Sequence, residues 1–334
     1  TKEIEVSAPS AQARMSLTAL ITGANVGLGY ESCKQLAQED TISRVILACR
    51  NESKAKDAVK SLSQETGKPE GFFEIVICDV SDLASCKIAA TSIKGKVDRL
   101  ILNAGGMPAN GKEIDSNGVT NTFAQNVLGH AVLLEAMIKG DKLNSGARVM
   151  FSGSEGAMGL KMGPINIKKP VFLTQDADGV ASHMTGKPLE GGKPFAQDED
   201  MYASAKGIGA LYMASMARKH TKYHFATVSP GMTAGTDVAN KAPFPLNYVF
   251  KVLFFFFSLM GTAHNVSTGA KRYVDQVMGK WDYPTGAFIA SKLGASGEVA
   301  EISKMEAHTM FADAKLQDAA YEAIHRYINT VLVG

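Results

Sequence analysis

The chain is predicted to be an α/β protein, a doubly wound sheet of seven parallel strands with helices on both faces. Three observations carry this. Short apolar runs alternate with helical stretches along most of the 334 residues, the order that builds a parallel sheet from right-handed crossovers. A glycine-rich turn, Thr22-Gly23 followed by Gly27 and Gly29, separates the first strand-like run from the first helical one. Tyr202 and Lys206 stand four apart in DEDMYASAKG, so on a helix their side chains share one face.

The elements follow in order. LTALIT at 17–22 is a short apolar run that ends on the glycine turn, and a helix is expected over 28–40. RVILAC (44–49), FEIVIC (73–78) and DRLIL (98–102) are brief, apolar and rich in β-branched residues, as buried strands are. Helical patterns at 52–65 and 82–94 separate them, and a longer one spans 117–139. ARVMFS (147–152), the Tyr202 helix (201–220), YHFATV (223–228) and GAFIAS (286–291) complete the alternation. Residues 1–15 are small and polar and read as a flexible tail, leaving 16–334 as a single domain with insertions at 155–200 and 240–265.

Composition narrows the function. A hydrophobic content of 45% allows a large core, and a net charge of +2 with interspersed signs gives no basic surface for nucleic acid. Cys33, Cys49, Cys78 and Cys86 form no CxxC pair or cluster with histidine, so no metal site is expected. They read as small buried hydrophobes of a reducing compartment. No secretory signal is legible, and a start at Thr1 is compatible with a removed targeting peptide.

Two segments break the rhythm. Residues 155–200 are rich in Gly, Lys and Pro, and a loop of that length beside a site is expected to face substrate. FPLNYVFKVLFFFFSLM at 244–260 is interrupted by Asn247 and Lys251, too short and too polar to span a bilayer. It reads as a buried helix over the site, a wall for a large apolar substrate, or a shallow membrane or partner contact, roles that are mutually compatible.

Chemistry enters at the turn and at the tyrosine. A strand–glycine turn–helix junction lets backbone approach a pyrophosphate and offers unpaired amides at the helix start. Thr22, Gly23, Asn25, Gly27, Leu28 and Gly29 are therefore the candidate cradle of a dinucleotide. An ammonium beside a phenol favours the phenolate, so Lys206 is expected to lower the Tyr202 pKa toward working pH and make it a general acid/base. After the second strand the chain carries Arg50, with Lys54 beyond it, rather than an acid. A guanidinium suits a 2′-phosphate, so NADP(H) is expected over NAD(H); the plain alternative is a solvated helix start.

With ALITGANVGLG and YASAK, the chain resembles the short-chain dehydrogenase/reductase family, and further matches run along most of its length. Asn103-Ala104-Gly105 stands where the family has NAG, Asn126 matches its helix asparagine, Ser154 its catalytic serine, and Pro230-Gly231 its PG. The resemblance implies a Rossmann fold with Asn126, Ser154, Tyr202 and Lys206 as the catalytic set. Tyr202 would exchange the proton, Lys206 would also hold the nicotinamide ribose, Ser154 would donate to the substrate oxygen, and Asn126 would position a relay water. It further implies cofactor contacts at Asp79 and Val80, at 103–105, and at Pro230, Gly231 and Thr233. Asp79 has a plainer reading as a cap for the helix near Asp82.

Within the family, ACRN and NVLGHAVLL resemble the retinol-dehydrogenase-like reductases. The long insertion between Ser154 and Tyr202, STGAKRYVDQVM, and the helical tail after SKLGASGEVAEISK resemble light-dependent protochlorophyllide oxidoreductase. Departures are Met232 in place of that enzyme's cysteine, YASAK in place of YKDSK, and Thr233 and Thr236 flanking Gly235. This resemblance implies a large apolar substrate, a chloroplast location (stroma or thylakoid surface), and a monomer, dimer or tetramer; without it, a cytoplasmic or membrane-peripheral location is expected. The leading expectation is an NADPH-dependent reductase of a carbonyl or conjugated double bond. The other class is a dinucleotide-binding scaffold or redox-sensing subunit that meets a membrane complex through 244–260.

Overall fold

A computed structural model of the chain describes residues 16–162, 165–188, 190–233 and 264–333. The tail at 1–15, the run at 244–260, and Gly235 and Thr236 lie outside the described residues. Strands β1 (Leu17–Thr22), β2 (Ile42–Cys49), β3 (Phe73–Ile77), β4 (Val97–Leu102) and β5 (Leu143–Ser152) fall where the apolar runs place them. A small hairpin, β6 (Leu160–Met162) and β7 (Ile165–Ile167), precedes β8 (His224–Val228), β9 (Ala287–Ser291) and β10 (Val299–Glu301). The main sheet has the order β10-β9-β8-β5-β4-β1-β2-β3, parallel throughout except for β10, which pairs antiparallel with β9.

The strand order reverses between β1 and β4, which opens a crevice at the carboxyl ends of the strands, where sheets of this kind bind ligands. Alternate strand residues feed two cores. Ala19 and Ile21 face one side with helices α1 (Gly27–Ala37), α2 (Glu52–Thr66) and α8 (Val266–Val277). Leu20 and Ile46 face the other, with α3 (Leu83–Ser92), α5 (Gly129–Lys139), α7 (Asp198–Lys219) and α9 (Ala314–Val333).

Four features differ from the sequence expectation. β10 is an eighth, antiparallel strand, whose three residues are too few to show a period. The helix expected over 117–139 begins as α4 (Asn121–Phe123), widens into a π turn at Ala124–Leu128, and then continues as α5. Helix α8 carries Ser-Thr-Gly, weak helix formers, in its first turn, but Asn265 caps it by accepting from the Thr268 amide at 2.7 Å. The 155–200 insertion holds the hairpin and α6 (Ala177–Met184) rather than an unbroken loop. It is tied to α7: the Lys168 amide donates to Asp200 at 2.8 Å, and buried His183 joins Ser204 at 2.6 Å.

Candidate active site

At the crevice, the glycine turn is shaped by contacts that exclude side chains. A Cβ on Gly29 would lie 2.3 Å from the Gly23 carbonyl oxygen and 2.7 Å from Asn103 Nδ2, and Gly23 itself has a φ of +66°. Only glycine permits that backbone at that approach. Helix α1 starts after Val26, whose side chain cannot cap it, and has no acid in its first turn. Its leading amides are thus left for an anion. Leu28 and Thr233 both border Gly269, whose missing Cβ would reach within 2.9 Å of each, so the 230–233 loop closes over the same turn.

Thr22 fastens the turn to the NAG segment. Its hydroxyl oxygen accepts from the Asn103 amide at 2.8 Å and the Ala104 amide at 2.9 Å, and Asn103 Nδ2 donates to the Thr22 carbonyl at 2.9 Å. With those acceptor sites used, the Thr22 proton goes to His130 Nε2 at 3.0 Å, which leaves His130 Nδ1 to donate to the Asn126 carbonyl at 3.3 Å. Burial, with the Lys206 charge adding to it, pushes the His130 pKa down to about 3, consistent with this neutral tautomer. Asn126 sits in the π turn, a distortion frequent at functional sites. Its amide Nδ2 donates to the Gly106 and Thr122 carbonyls, each at 2.8 Å, and its Oδ1 accepts from the Gly106 amide at 3.0 Å.

Helix α7 carries the tyrosine and lysine. From 200 to 217 every residue is buried except Tyr202, which is mostly buried with part of its side chain open. Gly209 lets α7 settle onto Phe151 of β5; a Cβ there would lie 2.4 Å from the ring. Lys206 is only 2% exposed. Its Nζ lies 5.1 Å from the Phe151 ring centroid and 5.5 Å from that of Tyr202. Burial pushes the Lys206 pKa down to about 7. The expectation that Lys206 lowers the Tyr202 pKa is corrected: burial raises it well above 10, and the nearby Glu155 carboxylate raises it further. A desolvated phenol facing a carboxylate outweighs an amine that is itself reluctant to hold charge. Ser154 ends β5's extension and accepts from the Gly156 amide at 3.1 Å, which leaves its proton available to another acceptor.

Sequence reasoning missed a buried network beneath these groups. Glu155 accepts from Ser229 Oγ, from Ser291 Oγ at 2.9 Å and from the Ser291 amide at 3.3 Å. Arg272 of α8 lies 3.6 Å from it and donates to Ser291 Oγ at 3.1 Å, the Gly297 carbonyl at 2.7 Å and His264 Nε2 at 2.8 Å. A Cβ on Gly231 would strike His264 at 2.6 Å, so the network also shapes the Pro230-Gly231 loop. Tyr273 adds a bond to Ser152 at 2.6 Å. An acid directly after the serine, in SGSEG, was the one legible signal.

At the far end of the crevice, Arg50 Nε lies 3.9 Å from Asp79, and the Arg50 side chain is 75% exposed. Asp79 accepts from the Ser81 amide at 3.0 Å, while Asp82 takes the capping role by accepting from Ala84 and Ser85 amides. Lys54 stands exposed in the first turn of α2, and Val80 packs its backbone against Gly129. All four cysteines are buried and free. Apart from Lys54, which stays at the surface, the residues fit a nicotinamide dinucleotide: uncapped amides, a glycine approach, and a partly open tyrosine on α7.

Comparison with known proteins accords with this geometry. The short chain dehydrogenase family model matches residues 17–165. The short chain dehydrogenase yanD of Aspergillus niger is 30% identical over 249 residues, 71% of each chain. The (+)-neomenthol dehydrogenase of Arabidopsis thaliana is 28% identical over 245 residues, covering 64% of this chain and 81% of that protein. The crystal structure of an uncharacterized protein from Mycobacterium paratuberculosis shares the fold, with a TM-score of 0.65, 20% identity and 94% of each chain covered. The chain belongs to the short-chain dehydrogenase/reductase family, oxidoreductases that use a nicotinamide dinucleotide.

Proposed function

We propose that the protein is an NADPH-dependent reductase that acts on a bulky apolar carbonyl or conjugated double bond. The observation that carries this reading is Tyr202, the one partly open residue of an otherwise buried stretch of α7, one turn from the buried amine of Lys206. When bound, the dinucleotide supplies the hydride. Tyr202 supplies the proton: its raised pKa keeps the phenol neutral and competent to donate. Once the proton leaves, the phenolate is stabilised by a proton held on Lys206, whose pKa of about 7 lets it exchange with solvent. Ser154 holds the substrate oxygen through its free proton, and His130 keeps Asn126 in register with the cofactor turn.

NADP(H) is favoured by Arg50, which follows β2, is 75% exposed and is held by Asp79 only at 3.9 Å, so its guanidinium is open to a 2′-phosphate. An apolar substrate is supported by the name of the neomenthol relative and by the phenylalanine run. The narrower reading, light-dependent protochlorophyllide reduction, rests on the insertion and tail resemblances, and illumination-dependent loss of the pigment's absorbance decides it. The scaffold reading is disfavoured by the intact Ser154, Tyr202 and Lys206.

To test the proposal, NADPH and NADH are titrated by fluorescence against wild type, Arg50→Ala and Tyr202→Phe, with turnover on a panel of apolar enones and ketones. NADPH should bind more tightly than NADH only while Arg50 is present, and Tyr202→Phe should bind cofactor normally yet turn over at least about a hundredfold more slowly. Equal affinity for both cofactors in wild type removes the NADP assignment; full turnover by Tyr202→Phe removes the mechanism.

A further inference from the structure

The opposite end of the sheet carries a second constellation, independent of the reductase reading. Arg99 on β4 pairs in register with Arg148 on β5, and Arg148 with His224 on β8. Three basic side chains thus stand side by side, an arrangement that repels itself. Among the described residues neither guanidinium has a carboxylate within ion-pair distance. Arg99 Nη1 donates to the Asp98 carbonyl and Arg148 Nε to the Gln276 carbonyl, each at 2.9 Å, while His224 Nε2 donates to the Tyr283 carbonyl at 3.0 Å. Arg99 Nε, Arg148 Nη2 and His224 Nδ1 remain buried without partners. His224 Nδ1, opposite the donating Nε2, is an acceptor and adds no charge, so the excess is the two guanidinium cations, whose charge nothing within ion-pair distance cancels and which leave a positive field at this end of the sheet for an anion to meet.

Arg148 and His224 line a cleft of about 670 Å³, together with Lys222, Trp281, Asp282 and Tyr283. That volume is in the range of small-molecule sites. Trp281 and Tyr283 pack edge to face, with ring centroids 6.0 Å apart and planes at 82°, and give the cleft an aromatic corner. Asp282 is the sole acid among the lining residues and forms no ion pair with either cation among the described residues. The cleft lies at the start of β5 and β8, whereas Ser152, Ser229 and Ser291 mark the catalytic ends. The geometry points to a second binding site here, for a small phosphate ester of a flat ring compound, its phosphate on Arg148 and Lys222 and its ring against Trp281 and Tyr283.

Trp281 is the single tryptophan of the chain, so its emission reports this cleft alone. Phenyl phosphate, inorganic phosphate and phenol are titrated into wild type, Arg148→Gln and Lys222→Gln, with potassium chloride at matched ionic strength. A saturable emission change is expected with phenyl phosphate, weaker with inorganic phosphate and absent with phenol, and about tenfold weaker binding in Arg148→Gln. Circular dichroism checks that variant's fold; if it is disrupted, the surface variant Lys222→Gln decides by the same loss. Chloride reproducing the change, no saturable change, or undiminished affinity in the folded variants overturns the proposal.

Discussion

Lys206→Met should make the cofactor-free protein more stable below neutral pH while abolishing its catalysis. The lysine amine, 2% exposed, has its pKa moved from 10.5 to about 7 by burial. Between those values the unfolded chain binds the proton and the folded chain does not, so stability rises with pH across that window. Below pH 7 the charged amine is carried into the interior at full penalty. At about 1.4 kcal/mol per pH unit, the gap corresponds to roughly 5 kcal/mol. Attraction of the ammonium to the Phe151 and Tyr202 rings offsets about 2 kcal/mol. A methionine keeps the apolar stem and removes the charge, so the variant should gain roughly 3 kcal/mol at about pH 6 and little by about pH 9.5. Urea unfolding of both proteins at the two pH values measures this. A gain of equal size at both, or a wild type that is the more stable at acid pH, would refute the reasoning.

Three further outcomes, from two variants, follow from the same geometry. Glu155→Gln leaves the buried Arg272 without its counter-charge and should lower the unfolding free energy by about 3 kcal/mol, read by denaturant titration. Because Glu155 raises the Tyr202 pKa, the same variant should shift the alkaline limb of the reductive pH profile to lower pH; an unmoved limb would separate Glu155 from the tyrosine. Gly29→Ala should weaken dinucleotide binding at least about tenfold, since its Cβ meets the Gly23 carbonyl, a backbone atom that cannot swing aside. Isothermal titration checks it, with unchanged affinity as the contrary result.

The parallel sheet and the residues that gather at the crevice were legible because each rests on local pattern. Apolar runs such as RVILAC need no distant partner to be read as strands, and TGxxxGxG and YASAK declare themselves by spacing. What stayed hidden depends on contacts far apart in sequence. Glu155 meets Arg272 and Ser291 across 117 and 136 positions, and Thr22 meets His130 across 108. The direction of the Tyr202 shift was misread for the same reason. Spacing on the helix shows the amine four residues away, whereas the burial of both groups and the carboxylate facing the phenol belong to the tertiary fold. The π turn at Asn126 was invisible too, since TFAQNVLGHAVLL carries ordinary helical periodicity.

A crystal structure of the NADPH complex tests the central claim most directly. The account predicts the pyrophosphate on the amides after Val26, the ribose hydroxyls within hydrogen-bond reach of Lys206 Nζ, and the nicotinamide ring beside the Tyr202 hydroxyl. A dinucleotide bound elsewhere, or one whose nicotinamide lies remote from Tyr202, would contradict it.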